Sequence, residues 1–94
     1  MQCVVFYSPS PSGFGKAAEV YPRHLDYVNL KGALGGIIGI GTFDAPETNG
    51  AMCIFTSRAA AEEFLAGDPF VLEGVVDASG IREWDPLTFP DATK

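Results

Sequence analysis

Glycines and prolines divide this chain of 94 residues into short segments, and the order of those segments limits the folds that it can adopt. Gln2–Tyr7 combines Val, Phe and Tyr and predicts a strand, which we expect to end at the Ser, Pro and Gly residues of positions 8–13. A helix follows. Either residues 16–20 form its first turn, or it begins at Pro22, because proline suits a first helical position better than an interior one. We expect this helix to end at Gly32.

The middle of the chain predicts a strand hairpin followed by a second helix. Ala33–Phe43 is rich in Ile and Gly and is typical of a long, bent strand. A hairpin loop over residues 44–50 then leads to a third strand, Ala51–Thr56. Ser57 is a typical N-cap, so we expect the second helix to run from there to Gly67.

The remaining segments complete a known order of elements. Asp68 and Pro69 again have the pattern of a helix start and predict a short helical turn to Gly74. Val75–Trp84 predicts the last strand, interrupted at residues 79–80. The order β-α-β-β-α-β is that of the ferredoxin-like α+β fold, a four-stranded antiparallel sheet with both helices on one face. Nothing is left to cover the other face, so we expect a homodimer that forms through the sheet face.

The charge balance argues against a nucleic-acid partner. Twelve Asp and Glu outnumber six Lys and Arg, the formal net charge is −6, and the sequence has no basic run. The longest weakly polar stretch, Ala33–Phe43, is much shorter than the ~20 apolar residues of a membrane span. The first residues also lack the basic start of a signal peptide. We therefore expect a cytoplasmic protein that binds neither nucleic acid nor membrane.

Cysteine and glycine patterns give no sign of a metal or a cofactor. Cys3 and Cys53 are isolated in apolar surroundings, and the chain has a single His, so we expect buried, reduced thiols and no metal site. The glycines between positions 35 and 41 do not match the phosphate-binding patterns, which precede a helix. The sequence therefore predicts no cofactor.

His24, the one histidine, is the first candidate for chemistry. It lies just after Pro22, at the margin of the apolar helix stripe that contains Tyr21, Leu25 and Val28. If the helix begins at Pro22, the positive end of its dipole disfavours a protonated ring, and a neutral ring is what a general base requires. The alternative is a boundary histidine that packs its ring and bonds a carbonyl group.

Asp68 is the second candidate. Its position before Pro69 is already explained by helix capping. Capping needs only one carboxylate oxygen, however, and in this topology the first helix and the end of the second lie on the same sheet face. Asp68 could therefore approach His24, fix its tautomer and stabilise its protonated form.

Three parts of the chain resemble the YCII-related domain family. Tyr21-Pro22-Arg23-His24-Leu25 is similar to the family motif R-P-x-H-L, and Ser57–Gly74 is similar to its S-x-x-x-A…D-P-[FY]…G-[VL] block. Ile81–Trp84 is similar to the closing strand, so that the resemblance runs in order through residues 2–84. The chain departs from the family where Tyr21 replaces the motif arginine and Gly41-Thr42 replaces Gly-Pro.

The resemblance implies a fold of the dimeric α+β barrel superfamily, with a single YCII-like domain over residues 1–85 and a polar tail over 86–94. It also implies an active site formed by the motif histidine and aspartate, which correspond to His24 and Asp68. One branch of the family is similar to a dehydrochlorinase that acts on chlorinated hydroxyhydroquinones.

Two functions therefore remain open. The first is a small enzyme with a small-molecule ligand, a lyase or an isomerase, in which His24 is a general acid/base and Asp68 orients it. Arg23 or Tyr21 would then hold a substrate oxyanion, and Phe43 and Phe70 would line the pocket. The alternative is a non-catalytic ligand-binding or protein-interaction module of the same fold.

Overall fold

A computed structural model describes residues 1–90. Its elements follow the predicted order, with a 3-10 turn at Phe14–Lys16 before the first long helix. The strands and helices are β1 (Gln2–Pro9), α1 (Ala17–Leu34), β2 (Ile37–Thr42), α2 (Pro46–Asn49), β3 (Ala51–Phe55), α3 (Arg58–Gly67), α4 (Pro69–Leu72), β4 (Val76–Ala78) and β5 (Arg82–Trp84).

The sheet is antiparallel, with strand order β2-β3-β1-β4, and β5 also pairs with β1. β4 and β5 are thus two parts of one last strand, and this confirms the predicted interruption at residues 79–80. Ser79 joins the two parts to β1, because its Oγ accepts a hydrogen bond from the backbone N–H of Phe6 while its own N–H donates to the Phe6 carbonyl. The ferredoxin-like α+β fold is confirmed.

Alternation along β1 separates a core face from an open face. Val5 and Tyr7 are buried with Cys53 on the neighbouring β3, against side chains of both long helices such as Val20 and Phe64. Both helices therefore cover the same face of the sheet. On the opposite face, which we call the open face, lie four large apolar side chains: Phe6, Met52, Ile54 and Trp84.

β1 is longer than predicted. The expectation that it ends at Tyr7 and that the following residues form no ladder is wrong, because Ser8 and Pro9 pair with Asp77 and Val76 of β4. Proline is tolerated there because it is the last residue of the strand and no donor is required of it.

α1 begins at Ala17 and runs through Pro22 to Leu34, so Pro22 is neither its first residue nor the point where it breaks. The missing N–H of Pro22 removes the intrahelical bond of the Ala18 carbonyl, and Ala18 is exposed, where water can hydrate that oxygen. The prediction that Gly32 ends the helix is also wrong. Gly35 does so, with φ of 90°.

β2 is accordingly shorter than the stretch Ala33–Phe43 that we expected. It keeps the predicted bend, since its register with β3 shifts between Ile37 and Gly39. The hairpin loop contains the short helix α2, and α3 begins and ends as predicted, with the Ser57 side chain accepting from the Ala60 N–H.

No helix among residues 1–90 is both long and apolar enough to cross a bilayer. Of the expected polar tail, residues 91–94 lie outside the described part of the chain.

We expect Gly50→Ala to lower the free energy of unfolding by about 1–3 kcal/mol, because Gly50 has a φ of 78° and a Cβ there would lie 1.9 Å from the Tyr7 carbonyl oxygen. Gly80→Ala is the matched control, since a Cβ at Gly80 meets nothing within 4 Å and its φ is not in the left-handed range. Urea unfolding followed by circular dichroism measures both changes. Equal midpoints for the two variants would contradict the prediction.

The thiol of Cys53 gives a second prediction. Burial, and secondarily the negative charge of Asp68, raises the pKa of Cys53 to about 12. A thiol whose pKa is raised by folding stabilises the folded protein at any pH below the pKa of the thiol in the unfolded chain, about 8.5. That stabilisation is lost as the pH rises towards the pKa of the thiol in the folded protein. The unfolding free energy of the wild type should therefore fall more steeply above pH ~9 than that of Cys53→Ala.

Labelling checks the same property directly. We expect iodoacetamide at about pH 8.5 to modify Cys53 in urea but not in the folded protein, as measured by peptide mass spectrometry. Modification at equal rates in both states would show that the thiol is not buried.

Candidate active site

Asp68 lies at the junction of α3 and α4 and is a fully buried polar residue. Its side chain caps α4, since Oδ1 accepts the N–H of Phe70 at 3.1 Å, and Pro69 occupies the first helical position. The capping role predicted from the sequence is therefore confirmed. The residue is 0% exposed, so that neither of its carboxylate oxygens can be satisfied by solvent.

His24 meets this carboxylate from α1. Its Nδ1 lies 2.7 Å from Asp68 Oδ1, and its side chain is 12% exposed. The predicted approach of these two residues is thus present in the structure. The predicted position of His24 at a helix N-terminus is wrong, because α1 begins at Ala17 and His24 lies about two turns inside it. The argument from the helix dipole therefore does not apply.

Phe70 fixes the plane of the imidazole. The two rings are parallel within 5°, and their centroids lie 4.0 Å apart. Phe70 follows Asp68 by two residues, so that the start of α4 supplies both the carboxylate and the stacking surface. Tyr21, one turn before His24 on α1, borders both rings in a tilted arrangement at 6.2 and 6.4 Å.

Tyr7 is a third hydrogen-bond partner of Asp68, and this role was not predicted from the sequence. Its hydroxyl donates to Asp68 Oδ2 at 2.5 Å from the core face of β1. Burial, with the hydrogen bond and the charge of Asp68, raises the pKa of Tyr7 far above its usual range. A signal was present in the sequence, because alternation with Val5 buries Tyr7 and a buried phenol needs a hydrogen-bond partner.

These contacts determine which imidazole nitrogen is available. A carboxylate only accepts hydrogen bonds, so a proton on His24 Nδ1 must point at Asp68. Among residues 1–90 no hydrogen bond involves Nε2 of His24. Every buried side-chain nitrogen or oxygen in that part of the chain has a hydrogen-bond partner, so Nε2, which has none, is not buried. Nε2 is therefore accessible, and it is the atom of the pair that can act on a ligand.

His24 borders a cavity of about 570 Å³ between α1 and the sheet. This volume falls within the range of about 300–1,000 Å³ that is usual for small-molecule sites. Its wall is mainly apolar, with Leu25 and Val28 from α1 and Ile40 from β2, and no Asp, Glu, Lys or Arg among residues 1–90 lines it. An arrangement of one accessible nitrogen in an apolar wall can transfer a proton to or from a bound molecule.

Of the four residues predicted to bind substrate, the structure brings two to the cavity. Tyr21 and Phe70 line it beside His24. Arg23 does not line the cavity: its Nη1 lies 3.4 Å from Glu73 Oε2, and 58% of its side chain is exposed. Phe43, just after β2, is 40% exposed and does not line the cavity. Residues 1–90 contain no cluster of three His, Cys, Asp or Glu side chains placed to hold a metal ion.

Comparison with known proteins agrees with this architecture. Among solved structures, the chain is similar to the 5-chloro-2-hydroxyhydroquinone dehydrochlorinase of Burkholderia phenoliruptrix AC1100, in its complex with 2,5-dihydroxybenzoquinone. The two share 21% sequence identity and a TM-score of 0.70, over 90% of this chain and 94% of the other. Among curated proteins, none matches the sequence. The family model of the YCII-related domain matches residues 1–85, and the chain therefore belongs to the YCII-related domain family.

Proposed function

We propose that this protein is a small enzyme in which His24 acts as a general acid/base, oriented by Asp68, in an elimination or an isomerisation. The observation that carries the proposal is the 2.7 Å contact of Nδ1 with a fully buried carboxylate, which leaves Nε2 accessible beside an apolar cavity. The substrate class is a small aromatic or enolisable molecule, because the described part of the chain lines the cavity with ring surfaces and no Asp, Glu, Lys or Arg.

The chemistry requires only the transfer of a proton and the movement of electron pairs. Nε2 takes a proton from a hydroxyl or carbon atom of the substrate, and the electrons of that bond form a new double bond. In an elimination, a leaving group departs with its own bonding pair; in an isomerisation, Nε2 returns the proton at a different atom. The positive charge formed on the ring is stabilised by Asp68 through the Nδ1–H bond.

The structural neighbour supports an elimination on a ring. Its name describes a dehydrochlorination, and the molecule bound to it is a dihydroxybenzoquinone. A flat ring of that size suits the cavity that Tyr21 and Phe70 border. Arg23 and Phe43 complete the proposed binding residues: Arg23 would have to leave Glu73 and turn inward to reach a substrate oxyanion.

We expect His24→Gln to lower kcat by about 10²–10⁴-fold, because the general base is lost. The measurement is chloride release from 5-chloro-2-hydroxyhydroquinone, with circular dichroism to verify the fold. Leu30→Gln is the matched control, since Leu30 is on the same helix and is 59% exposed. Full activity of His24→Gln would exclude the proposed role. A wild type that binds 2,5-dihydroxybenzoquinone but releases no chloride would favour the non-catalytic ligand-binding module.

We further propose that two chains form a homodimer through the open face of the sheet. Phe6 and Trp84 on that face are 40% and 41% exposed, and Met52 and Ile54 of β3 are on the same face. A sheet face with several exposed or half-buried large apolar side chains is the kind of surface that a second subunit covers. Cytoplasmic location, the remaining proposal, is supported by Cys3 and Cys53, which are buried and unpaired.

We expect the wild type to have about twice the mass of one chain in multi-angle light scattering, and Phe6→Lys to have the mass of a single chain. The physical reason is that burying an unpaired ammonium group at the interface would cost more free energy than the association of the two chains provides. Leu30→Lys adds the same charge on α1 and should leave the dimer intact. A monomeric wild type, or a dimeric Phe6→Lys, would show that this face is not the interface.

A further inference from the structure

We propose that the Tyr7 hydroxyl is a positioning group, which holds the shared proton of the His24–Asp68 pair on the imidazole and thereby leaves Nε2 unprotonated. The inference rests on the proposed function for its catalytic meaning. The location of the proton, however, is a property of the folded protein and can be tested without any substrate.

The first step of the argument is that Asp68 Oδ2 depends on Tyr7. Oδ1 accepts from His24 Nδ1 and from the Phe70 N–H, whereas the partner of Oδ2 within residues 1–90 is the Tyr7 hydroxyl. Asp68 is 0% exposed, so water cannot replace that hydroxyl without a change in the packing. Removing the hydroxyl therefore leaves a buried carboxylate oxygen without a donor, and this strongly disfavours the ionised form of Asp68.

The second step is where a proton then goes. A neutral carboxylic acid at position 68 removes the buried negative charge and, having become the donor, points its O–H at His24 Nδ1. The imidazole must then carry its own proton on Nε2. In balance, the pair takes up one proton from water, the Nδ1–H bond breaks, and one O–H and one Nε2–H bond form. In that state Nε2 has no lone pair with which to accept a proton from a ligand.

The third step is that Tyr7 is suited to this role at neutral pH. Its burial and the negative charge of Asp68 raise its pKa, so that the phenol stays protonated and donates. Its backbone is held on both sides, by Ala51 of β3 and Ala78 of β4. The negative charge of Asp68 also acts on Cys53 and Tyr27, and the pKa of both groups is raised, so that both stay protonated at neutral pH.

The experiment uses Tyr7→Phe and nitrogen-15 NMR of the imidazole. His24 is the single histidine of the chain, so its two nitrogen signals need no assignment by mutation. We expect the Nδ1–H tautomer in the wild type and the Nε2–H tautomer in Tyr7→Phe. Tyr27→Phe is the matched control: it loses a hydroxyl that donates to the Phe64 carbonyl at 2.9 Å, not to Asp68, and should keep the Nδ1–H tautomer.

Kinetics provide the second readout. If the proposed function also holds, Tyr7→Phe should lower kcat by on the order of 10²-fold with a much smaller change in KM, because the ligand still fits but the base is in the wrong tautomer. A change of tautomer in a protein without turnover would support the role of Tyr7 and contradict the enzyme. Tyr7→Phe with the wild-type tautomer would overturn the role of Tyr7 alone. If that variant does not fold, the wild type still decides: a proton found on Nε2 instead of Nδ1 overturns the inference.

Discussion

The carboxylate of Asp68 is the interaction on which the arrangement of this small domain depends. It is fully buried and accepts hydrogen bonds from three separate elements: β1 through Tyr7, α1 through His24, and the backbone at the start of α4. An unpartnered carboxylate in that position would cost several kcal/mol, a large part of the ~5–15 kcal/mol by which domains are stable. The three donors thereby tie β1, α1 and the start of α4 to one carboxylate. The same contacts that specify the packing also orient the imidazole, so structure and proposed chemistry share one group.

Local signals in the sequence were enough to predict most of the fold. The Ser57 cap, the Asp68-Pro69 start and the interruption before β5 each act within a few residues, and the structure has all three. The errors occurred where distant contacts override a local preference. Pro22 suggested a helix start, but Val20, before it on α1, is 1% exposed within the core, and its burial favours a helix that is already formed there.

The site was predictable in part for the same reason. His24 and Asp68 could be brought together on topology alone, because both helices cover one face of the sheet. Tyr7 could not be assigned as a partner, since an aromatic residue in a strand is usually explained by packing, and its polar contact crosses 61 residues of sequence. Arg23 was one of the two residues expected to hold a substrate oxyanion. The helical period places it about 160° around the helix from Tyr21, and the structure accordingly shows it at Glu73.

The parallel stack of His24 on Phe70 has a consequence for the moment at which the imidazole carries a positive charge. The face of a benzene ring is electron-rich and attracts a cation placed over it. At a centroid separation of 4.0 Å, the imidazolium would lie flat against that face, with the carboxylate at its edge. Asp68 and Phe70, two residues apart at the start of α4, would then both stabilise the transient cation, Phe70 through its π electrons and Asp68 through its formal charge. A leucine at position 70 would keep the hydrophobic contact but lose this quadrupolar attraction.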